Sequence, residues 1–523
     1  MPHVFAHFRE KISSLLKKNC NPPYADGILL SVTLGILALL AYTLIRANVL
    51  FEVDGYYHIA VTKLTLEHGF MNSFPWAQFS VMKDHYADKD LLLHIMAMPF
   101  ALFFENPVTA AKCAILLLES VFLFFLAFLL RKRVNGAVAG LVLALLFMSP
   151  TFTMYFLYFR PGTLAALFTM AGIYFLIGKR HWAVFIVGAL FSLSHISSFT
   201  LIYFAVMCEA VRWFHSREFF FKNILFSFLG VAAGILVHPN FPNNMLAIYI
   251  NAFLTPIYAA ADKGINFAGE LYAADTKDAL FDNFPVFGVF LTLLLAGFVR
   301  NVKYSLSTAV YFGATVTYFL LAMKGNRFWF PAVPLAVLTL GSFAGDWNET
   351  SADATPKERT NAFILWLVWL CAAGVFFPYS VKDLNKRIKT KTKFSEDYVQ
   401  AGKWMNANLP KGEVIYHSVW ADSPYFICYN PGDYYLAVLD PIYTYYWSPD
   451  IQRISQELYY GTHKNPYEEI RRTFKARYGF TRKDTGFYES IKRDSRFKPL
   501  HESASSLIFE LLPPPAGPIK VSG

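Results

Sequence analysis

The feature that most constrains this chain is a series of long apolar stretches that carry almost no charge. At least four of them run for 18 or more residues. That is enough for a helix to cross a hydrocarbon core about 30 Å thick. Charged residues make up only 16% of the 523 residues, against about 25% in soluble globular domains. The sequence therefore predicts a polytopic α-helical membrane protein and excludes a cytosolic enzyme, a disordered protein and a small secreted module.

The apolar stretches predict about eleven membrane spans within residues 1–378. We expect them at 27–51, 109–130, 135–155, 161–178, 181–195, 197–214, 221–238, 284–299, 305–323, 327–345 and 361–378. Basic clusters such as 131–133 then fall in inner loops and acidic residues in outer loops, as the positive-inside rule requires. This places the N-terminus in the cytoplasm and the C-terminus outside.

Two further apolar segments are left out of this count. Residues 91–104 and 244–260 lie inside the predicted external loops 51–108 and 239–283, and both are interpreted as interfacial or re-entrant helices.

The composition changes at about residue 379. Residues 379–523 are polar and contain short strand-like runs, EVIYHSV, YYLAVL and SLIFELL, separated by helix-like segments. This pattern predicts a C-terminal α/β soluble domain on the outer (periplasmic) face of a bacterial inner membrane. The formal net charge of +10 is interpreted as the basic bias of cytoplasmic loops, so no nucleic-acid partner is expected.

The strongest local signal is the run FEVDGYYH, directly after the first predicted span. Glu52 and Asp54 form an acidic pair, and His58 follows Asp54 by four residues, on the same helical face. The external loop after it contains YADKD, in which Asp88 and Asp90 could supply a second carboxylate and Lys89 could hold phosphate. The alternative for both segments is a hydrated boundary without a function.

Further polar residues stand at the predicted outer ends of several helices. They are Arg160, His195, His238, Glu270, Lys324 and Arg327. Each alone has an ordinary explanation, such as snorkelling for an arginine or packing for a histidine. Because the topology sends all of them to one face, we interpret them together as a site for a lipid phosphate, with carboxylates for a divalent metal. A transporter would concentrate such groups near the midplane of the membrane, where this chain has almost none.

These motifs resemble those of the oligosaccharyltransferase catalytic subunit of the archaeal and bacterial type, a class C (GT-C) membrane glycosyltransferase. FEVDGYYH is similar to the D-x-x-Y-H turn of that family, whose Asp binds the catalytic metal, and RFWFPAVP (327–334) resembles its R-L-M-L-V-L-A-P pattern, whose Arg contacts lipid-linked phosphate. Glu270 resembles the acidic residue of the external-loop motif. The resemblance implies a GT-C fold, catalytic and metal-binding roles for Asp54 and Glu270 with Mg²⁺ or Mn²⁺, and phosphate binding by Arg327, Lys324 and Arg160.

Two motifs depart from that family. The chain has RPGT (160–163) where eukaryotic members carry the Asp of G-x-x-D-N-E, and the acceptor motif W-W-D-Y-G is only echoed by VWADS (419–423). Trp420 and Asp422 are the acceptor-binding residues that this echo implies.

The resemblance implies transfer of a sugar or an oligosaccharide from a polyisoprenyl-phosphate or -diphosphate donor, within membrane lipid, to a glycan, lipid or protein acceptor. Oligosaccharide transfer to protein is one alternative. A lipid-linked-sugar transporter or a non-catalytic assembly protein is another. The prediction on which the functional interpretation rests is that Asp54, Glu270 and Arg327 meet in one cavity at the outer membrane boundary.

Overall fold

The computed structural model describes residues 24–261, 264–299, 303–350 and 356–513. Up to residue 408 these residues are mainly helical. The helices are α1 (Ala25–Arg46), α2 (Asp54–His68), α3 (Leu91–Phe103), α4 (Pro107–Arg131), α5 (Gly136–Ala144), α6 (Pro150–Phe156), α7 (Gly162–Ile177), α8 (His181–Ser192), α9 (Thr200–Ser216), α10 (Phe221–Leu236), α11 (Asn243–Ile248), α12 (Thr255–Ala260), α13 (Thr276–Asp282), α14 (Phe284–Val299), α15 (Leu306–Ala322), α16 (Trp329–Thr350) and α17 (Pro356–Asn408).

Each of the eleven predicted spans falls on one or two of these helices. Five of the described helical segments are long and apolar enough to cross a membrane, or up to seven if each of two bent pairs is one span; the five are Ala25–Arg46, Pro107–Arg131, Ile196–Ser216, Asn326–Glu349 and Leu367–Asn408. Four of the other predicted spans fall on shorter apolar helices of 10–17 residues. The chain is an integral membrane protein, and the number of spans stays a prediction.

The predicted span 135–155 is bent rather than straight. Its two halves, Gly136–Met148 and Pro150–Phe156, meet at 91°. Proline can begin a helix but cannot continue one, and Pro150 stands at the first position of α6, where the Ser149 side chain accepts the N–H of Phe152 (3.0 Å). The bend carries the chain to residues 157–161, which contain Arg160.

The predicted boundary at residue 379 coincides with no break in the helix. α17 continues through Pro378 and ends at Asn408, so the last apolar segment and the first helix of the C-terminal part are one rod. The division of the chain at this residue stays a prediction.

The C-terminal part contains a five-stranded mixed sheet. Its strands are β1 (Val414–His417), β2 (Tyr434–Tyr435), β3 (Tyr478–Arg482), β4 (Phe497–Glu502) and β5 (Ser506–Leu511). The order is β2-β1-β3-β5-β4, with β1 parallel to β2 and β3, and β5 antiparallel to β3 and β4. Helices α18 (Ser423–Tyr429), α19 (Ile442–Trp447), α20 (Pro449–Tyr459), α21 (Pro466–Glu469) and α22 (Gly486–Ile491) connect the strands. The prediction of a helical membrane protein with a C-terminal α/β domain is confirmed.

The loops that the sequence assigns to the outer face contact this α/β domain. The segment after α2 lies beside the edge strand β2, where the N–H of Gln78 donates to Tyr435 O (2.8 Å) and the N–H of Phe79 to Leu436 O (2.7 Å). Farther along, Trp420 Nε1 donates to Asn266 O (3.1 Å) in the loop before α13. These bonds fix the loops relative to the domain.

Candidate active site

The site begins where α1 gives way to α2. Glu52 lies just before α2, and its two carboxylate oxygens accept the backbone N–H groups of Asp54 (2.9 Å) and Gly55 (2.8 Å). A carboxylate is favoured here because the first N–H groups of a helix lack intrahelical partners and carry partial positive charge. A Cβ on Gly55 would lie 3.0 Å from Leu50 Cδ1 and 3.4 Å from Phe159 Cβ. The glycine thus lets the start of α2 lie close to the segment that carries Arg160.

Arg160 joins three carboxylates. Its Nη1 lies 2.5 Å from Glu270 Oε2, its Nε lies 3.0 Å from Glu52 Oε2, and its Nη2 pairs with Asp54 Oδ2. The Tyr155 hydroxyl also donates to Glu270 Oε2 (3.3 Å). We call Glu52, Asp54, Glu270 and Arg160 the carboxylate–arginine cluster.

Exposure separates the members of this cluster. The side chain of Glu52 is 5% exposed, whereas those of Asp54 and Glu270 are 26% and 23% exposed. Burial raises the pKa of Glu52 to about 8, although the Arg160 guanidinium acts in the opposite direction. Burial would also raise the pKa of Glu270, but Arg160, Arg327 and the Tyr155 hydroxyl together lower it. Near neutral pH, Glu270 is therefore ionised and partly exposed, while Glu52 lies buried behind it.

Arg327 and Lys89 carry positive charge beside the cluster. The segment that contains Arg327 is tied to the loop of Glu270 because the N–H of Asn326 donates to Tyr272 O (2.9 Å). Arg327 opposes the rise that burial causes in the pKa of Asp440, a residue of the C-terminal domain. Burial would lower the pKa of Lys89, but the charge of Asp90, a hydrogen bond to Asp90 Oδ2 (2.6 Å) and the charge of Asp54 raise it.

A chain of hydrogen bonds leads away from α2 on the side of His58. His94 Nδ1 lies 2.7 Å from Asp88 Oδ2, and His94 Nε2 lies 2.9 Å from His58 Nδ1. A carboxylate can only accept, so His94 donates from Nδ1 to Asp88. Burial and the neighbouring His94 lower the pKa of His58, so its ring is neutral.

The remaining predicted residues lie around this centre. His195 interacts electrostatically with both Lys89 and Arg327, and its Nδ1 accepts the N–H of Ser197 (3.1 Å). His238 lies 3.1 Å from the carbonyl oxygen of Asp88 and holds the YADKD loop. Lys324 is exposed and lies three residues before Arg327.

The three residues of the convergence prediction come from segments far apart in sequence. The structure brings Asp54 and Glu270 onto the same guanidinium and places Arg327 within electrostatic reach of Glu270. Their roles in catalysis and phosphate binding stay predictions.

Three solved structures share this architecture. The oligosaccharyltransferase of Archaeoglobus fulgidus in its apo form superposes with a TM-score of 0.59 at 11% identity, over 90% of this chain and 71% of that chain. Archaeal AglB from Archaeoglobus fulgidus in complex with an inhibitory peptide and a dolichol-phosphate gives 0.55 at 11% identity, over 88% and 70%. ArnT from Cupriavidus metallidurans bound to undecaprenyl phosphate gives 0.55 at 10% identity, over 94% and 99%.

The chain has the class C glycosyltransferase fold. No protein-family model matches its sequence, and no curated protein matches it at a significant level. At 10–11% identity the likeness concerns the fold alone. The resemblance inferred from the short motifs is confirmed at the level of the fold.

The residues present in this class C fold do not fit a divalent cation. Asp54 and Glu270, which the resemblance implies as metal ligands, are both paired with the Arg160 guanidinium. Within the described part of the chain, no three or more His, Cys, Asp or Glu side chains are arranged to hold a metal ion. A metal role for Asp54 and Glu270 stays a prediction that this arrangement does not favour.

Trp420 and Asp422, the predicted acceptor residues, lie in different surroundings. Trp420 is half-buried and contacts the external loop at Asn266. Asp422 is fully buried, and its Oδ1 accepts from Arg482 Nε (2.8 Å) and Nη2 (2.5 Å), while the Arg482 guanidinium lies over the ring of Tyr398. Asp422 thus lies inside the α/β domain, and the acceptor role of both residues stays a prediction.

Sequence reasoning missed two residues at the site, Tyr155 and His94. His94 is a single polar side chain in the apolar stretch 91–104, and that isolation was the available signal. Tyr155 follows Thr151 and Thr153 and gave no comparable signal.

Asp440 begins the run DPIYTYYW (440–447), whose aromatic and acidic side chains predict sugar or acceptor contact on the membrane-facing side of the C-terminal domain. It interacts electrostatically with Arg327, Glu270 and Asp54, and its role stays a prediction.

The raised pKa of Glu52 leads to a prediction about stability. A group whose pKa is higher in the folded state stabilises the fold at low pH and loses that contribution as the pH rises through its folded pKa. We therefore expect the apparent melting temperature of the purified chain to fall as the pH rises from about 4.5 to about 8, because the contribution of Glu52 is lost between its ordinary pKa and its pKa in the fold. Glu52→Gln, which mimics the protonated form, should reduce this fall by a few degrees relative to the wild type in a thermal-unfolding series from acidic to alkaline pH. An equal fall in both proteins would contradict the assignment.

Proposed function

We propose that this chain is a membrane glycosyltransferase that transfers a sugar or an oligosaccharide from a polyisoprenyl-phosphate or -diphosphate donor to an acceptor on the outer face of the membrane. The observation that carries the proposal is the set of partly exposed carboxylates, Asp54 and Glu270, beside the cations Arg327 and Lys89. The lipid phosphates named for two of the solved structures with this fold support a donor of this class.

The carboxylate side of the site suits the acceptor. One oxygen of Asp54 pairs with Arg160, and the side chain stays 26% exposed, which leaves room for an acceptor hydroxyl at the other oxygen. In the proposed reaction Asp54 takes the proton of that hydroxyl as its oxygen bonds to the anomeric carbon of the sugar. The bond between that carbon and the phosphate oxygen breaks in the same step, so one bond forms as the other is lost.

The cationic side of the site suits the leaving group. The electron pair of the broken bond goes to the phosphate oxygen. Fixed cationic side chains nearby stabilise the negative charge that this oxygen gains. Arg327 is the first candidate because its charge already acts on Glu270 and Asp440, and Lys89 and Lys324 are the others. Arg160 is engaged by three carboxylates, so in this proposal it positions Asp54 and Glu270 rather than gripping phosphate.

The orientation is part of the proposal. Basic residues lie at the helix ends away from the cluster and are paired there, as Arg133 is with Asp346 (2.5 Å) and Lys179 with Glu218 (2.6 Å). We assign that side to the cytoplasm, and the cluster with the α/β domain to the periplasmic side of a bacterial inner membrane.

Cysteine labelling tests this orientation. In a variant whose five cysteines are replaced by serine, Lys464→Cys in the C-terminal domain should react with a membrane-impermeant maleimide in intact cells. Lys132→Cys, exposed at the end of α4, should react only after the membrane is opened. The reverse pattern would overturn the orientation and the outer-face site.

The experiment that tests the activity compares cells with and without the gene. Mass spectrometry of glycolipids and glycoproteins should show one glycoform missing in the deletion strain and restored by the wild-type chain. A glycan missing from lipid or polysaccharide would separate the proposal from oligosaccharide transfer to protein. An unchanged set of glycolipids and glycoproteins would contradict both.

A further inference from the structure

The carboxylate–arginine cluster is arranged like a cation-binding site in which the Arg160 side chain takes the position of the cation. The Arg160 guanidinium lies among three acidic side chains from two segments of the chain. Its Nη2 pairs with Asp54, its Nη1 lies 2.5 Å from Glu270, and its Nε lies 3.0 Å from Glu52 without a hydrogen bond. Arg160 is only 20% exposed, and its guanidinium lies over the rings of Tyr155 (5.9 Å) and Tyr158 (5.6 Å). The aromatic rings and the carboxylates together hold it in place.

A cation is required between these groups for a physical reason. Carboxylates that converge in a partly dehydrated site repel one another unless positive charge lies between them. A planar guanidinium offers five N–H donors in a fixed geometry and stays charged at every physiological pH. It can therefore supply the charge and the fixed geometry that a bound ion would otherwise provide.

The sequence at Arg160 agrees with this interpretation. The segment RPGT (160–163) carries no carboxylate that could bind a metal. It provides instead the permanent positive charge of Arg160. Because the residue before a proline is held away from the helical conformation, Pro161 keeps Arg160 outside α7 and ahead of its first turn.

We infer that Arg160 takes the place of a divalent cation in this site, and that the chain therefore binds no divalent cation between Asp54 and Glu270. Arg160 acts as a positioning residue that holds the two carboxylates in register while one oxygen of Asp54 stays open. The absence of divalent-cation binding between Asp54 and Glu270 does not depend on the proposed function. Only its consequence, that chelators leave transfer unaffected, rests on that function.

The test uses the purified full chain, stripped of metal, with Mn²⁺ as the probe and the free ion followed by electron paramagnetic resonance. The wild type should show no saturable Mn²⁺ site. Arg160→Gln, which leaves the carboxylates without their cation, should gain one site per chain, and adding Asp54→Asn to it should remove that site. Arg327→Gln is the matched control, because it makes the same chemical change beside the cluster but keeps Arg160.

A wild-type chain that binds one Mn²⁺, lost on Asp54→Asn, would overturn the inference. A folded Arg160→Gln chain that gains no site would also overturn it, since the carboxylates would then not form a cation site at all. If Arg160→Gln does not fold, Arg160→Met replaces it, because methionine fills part of the same space without a charge, and the same gain of a site is expected. Should the binding results hold while no transfer is found, the proposed function is at fault and the inference stands.

Discussion

Asp54→Asn should lower the rate of sugar transfer about 10²–10⁴-fold, which is the usual contribution of a positioned general base. Asparagine keeps the size of the side chain and one oxygen that can accept from Arg160, so the fold and the cluster should persist. It cannot take a proton from an acceptor hydroxyl. We expect the loss in kcat, measured by single-turnover transfer from an undecaprenyl-phosphate-linked sugar, with little change in the affinity for undecaprenyl phosphate.

Two matched variants show whether the effect belongs to Asp54. Glu52→Gln changes a carboxylate of the same cluster that is 5% exposed and cannot reach an acceptor, so its effect on transfer should be much smaller. His58→Gln interrupts the chain through His94 to Asp88 and tests whether that chain, rather than Asp54, takes the proton. An Asp54→Asn chain that folds and supports full product formation would favour a lipid-linked-sugar transporter or a non-catalytic assembly protein.

Local sequence was a sufficient guide where structure depends on local physics. Long runs without charge predicted the helices, because a membrane span requires an apolar surface along its whole length. The spacing of Asp54 and His58 predicted that both lie on one helical face, because residues four apart are neighbours on a helix, and α2 contains both. The strand-like run SLIFELL predicted β5, which lies at 506–511. Each of these inferences uses neighbours in the sequence.

The pairing of the site residues could not be predicted in this way. Arg160 and Glu270 are 110 positions apart, and their contact depends on the bend at Pro150 and on the path of the loop before α13. The sequence predicted that Arg160 binds phosphate. A single arginine at a helix end does not indicate that three carboxylates surround it. The boundary at residue 379 was chosen by a change in composition, and α17 crosses it because a helix can continue from lipid into water when its side chains change.

The site residues come from several separate segments of the chain, and no single helix carries all of them. Asp54 and Arg160 lie at helix ends, Glu270 and Arg327 lie in short turns, and Asp440 belongs to the α/β domain. Hydrogen bonds from the loop 76–79 to β2 and from Trp420 to Asn266 join these segments. Like charges repel and opposite charges attract, so a mobile loop would move its charged side chains away from this arrangement. The domain therefore has a physical role in the site: it fixes the loops that carry the charges.

Arg327→Gln should reduce transfer about 10²–10³-fold, the usual cost of removing one fixed donor from a developing negative charge. The positive charge of Arg327 opposes the effect of burial on the pKa of both Glu270 and Asp440. It is therefore close to the position that a phosphate beside Asp54 would occupy. Because the donor is negatively charged before the reaction as well as after it, we also expect weaker binding of undecaprenyl phosphate, measured by titration of the purified chain.

The neighbouring lysines separate this role from a general effect of charge. Lys324→Gln removes an exposed cation three residues before Arg327, and it should lower transfer less than Arg327→Gln does. Lys277→Gln removes an exposed charge on α13 and should leave both transfer and binding unchanged. If Arg327→Gln and Lys277→Gln have the same small effect, Arg327 does not contact the phosphate. The leaving group would then depend on Lys89, whose replacement by glutamine should produce the loss that Arg327→Gln does not.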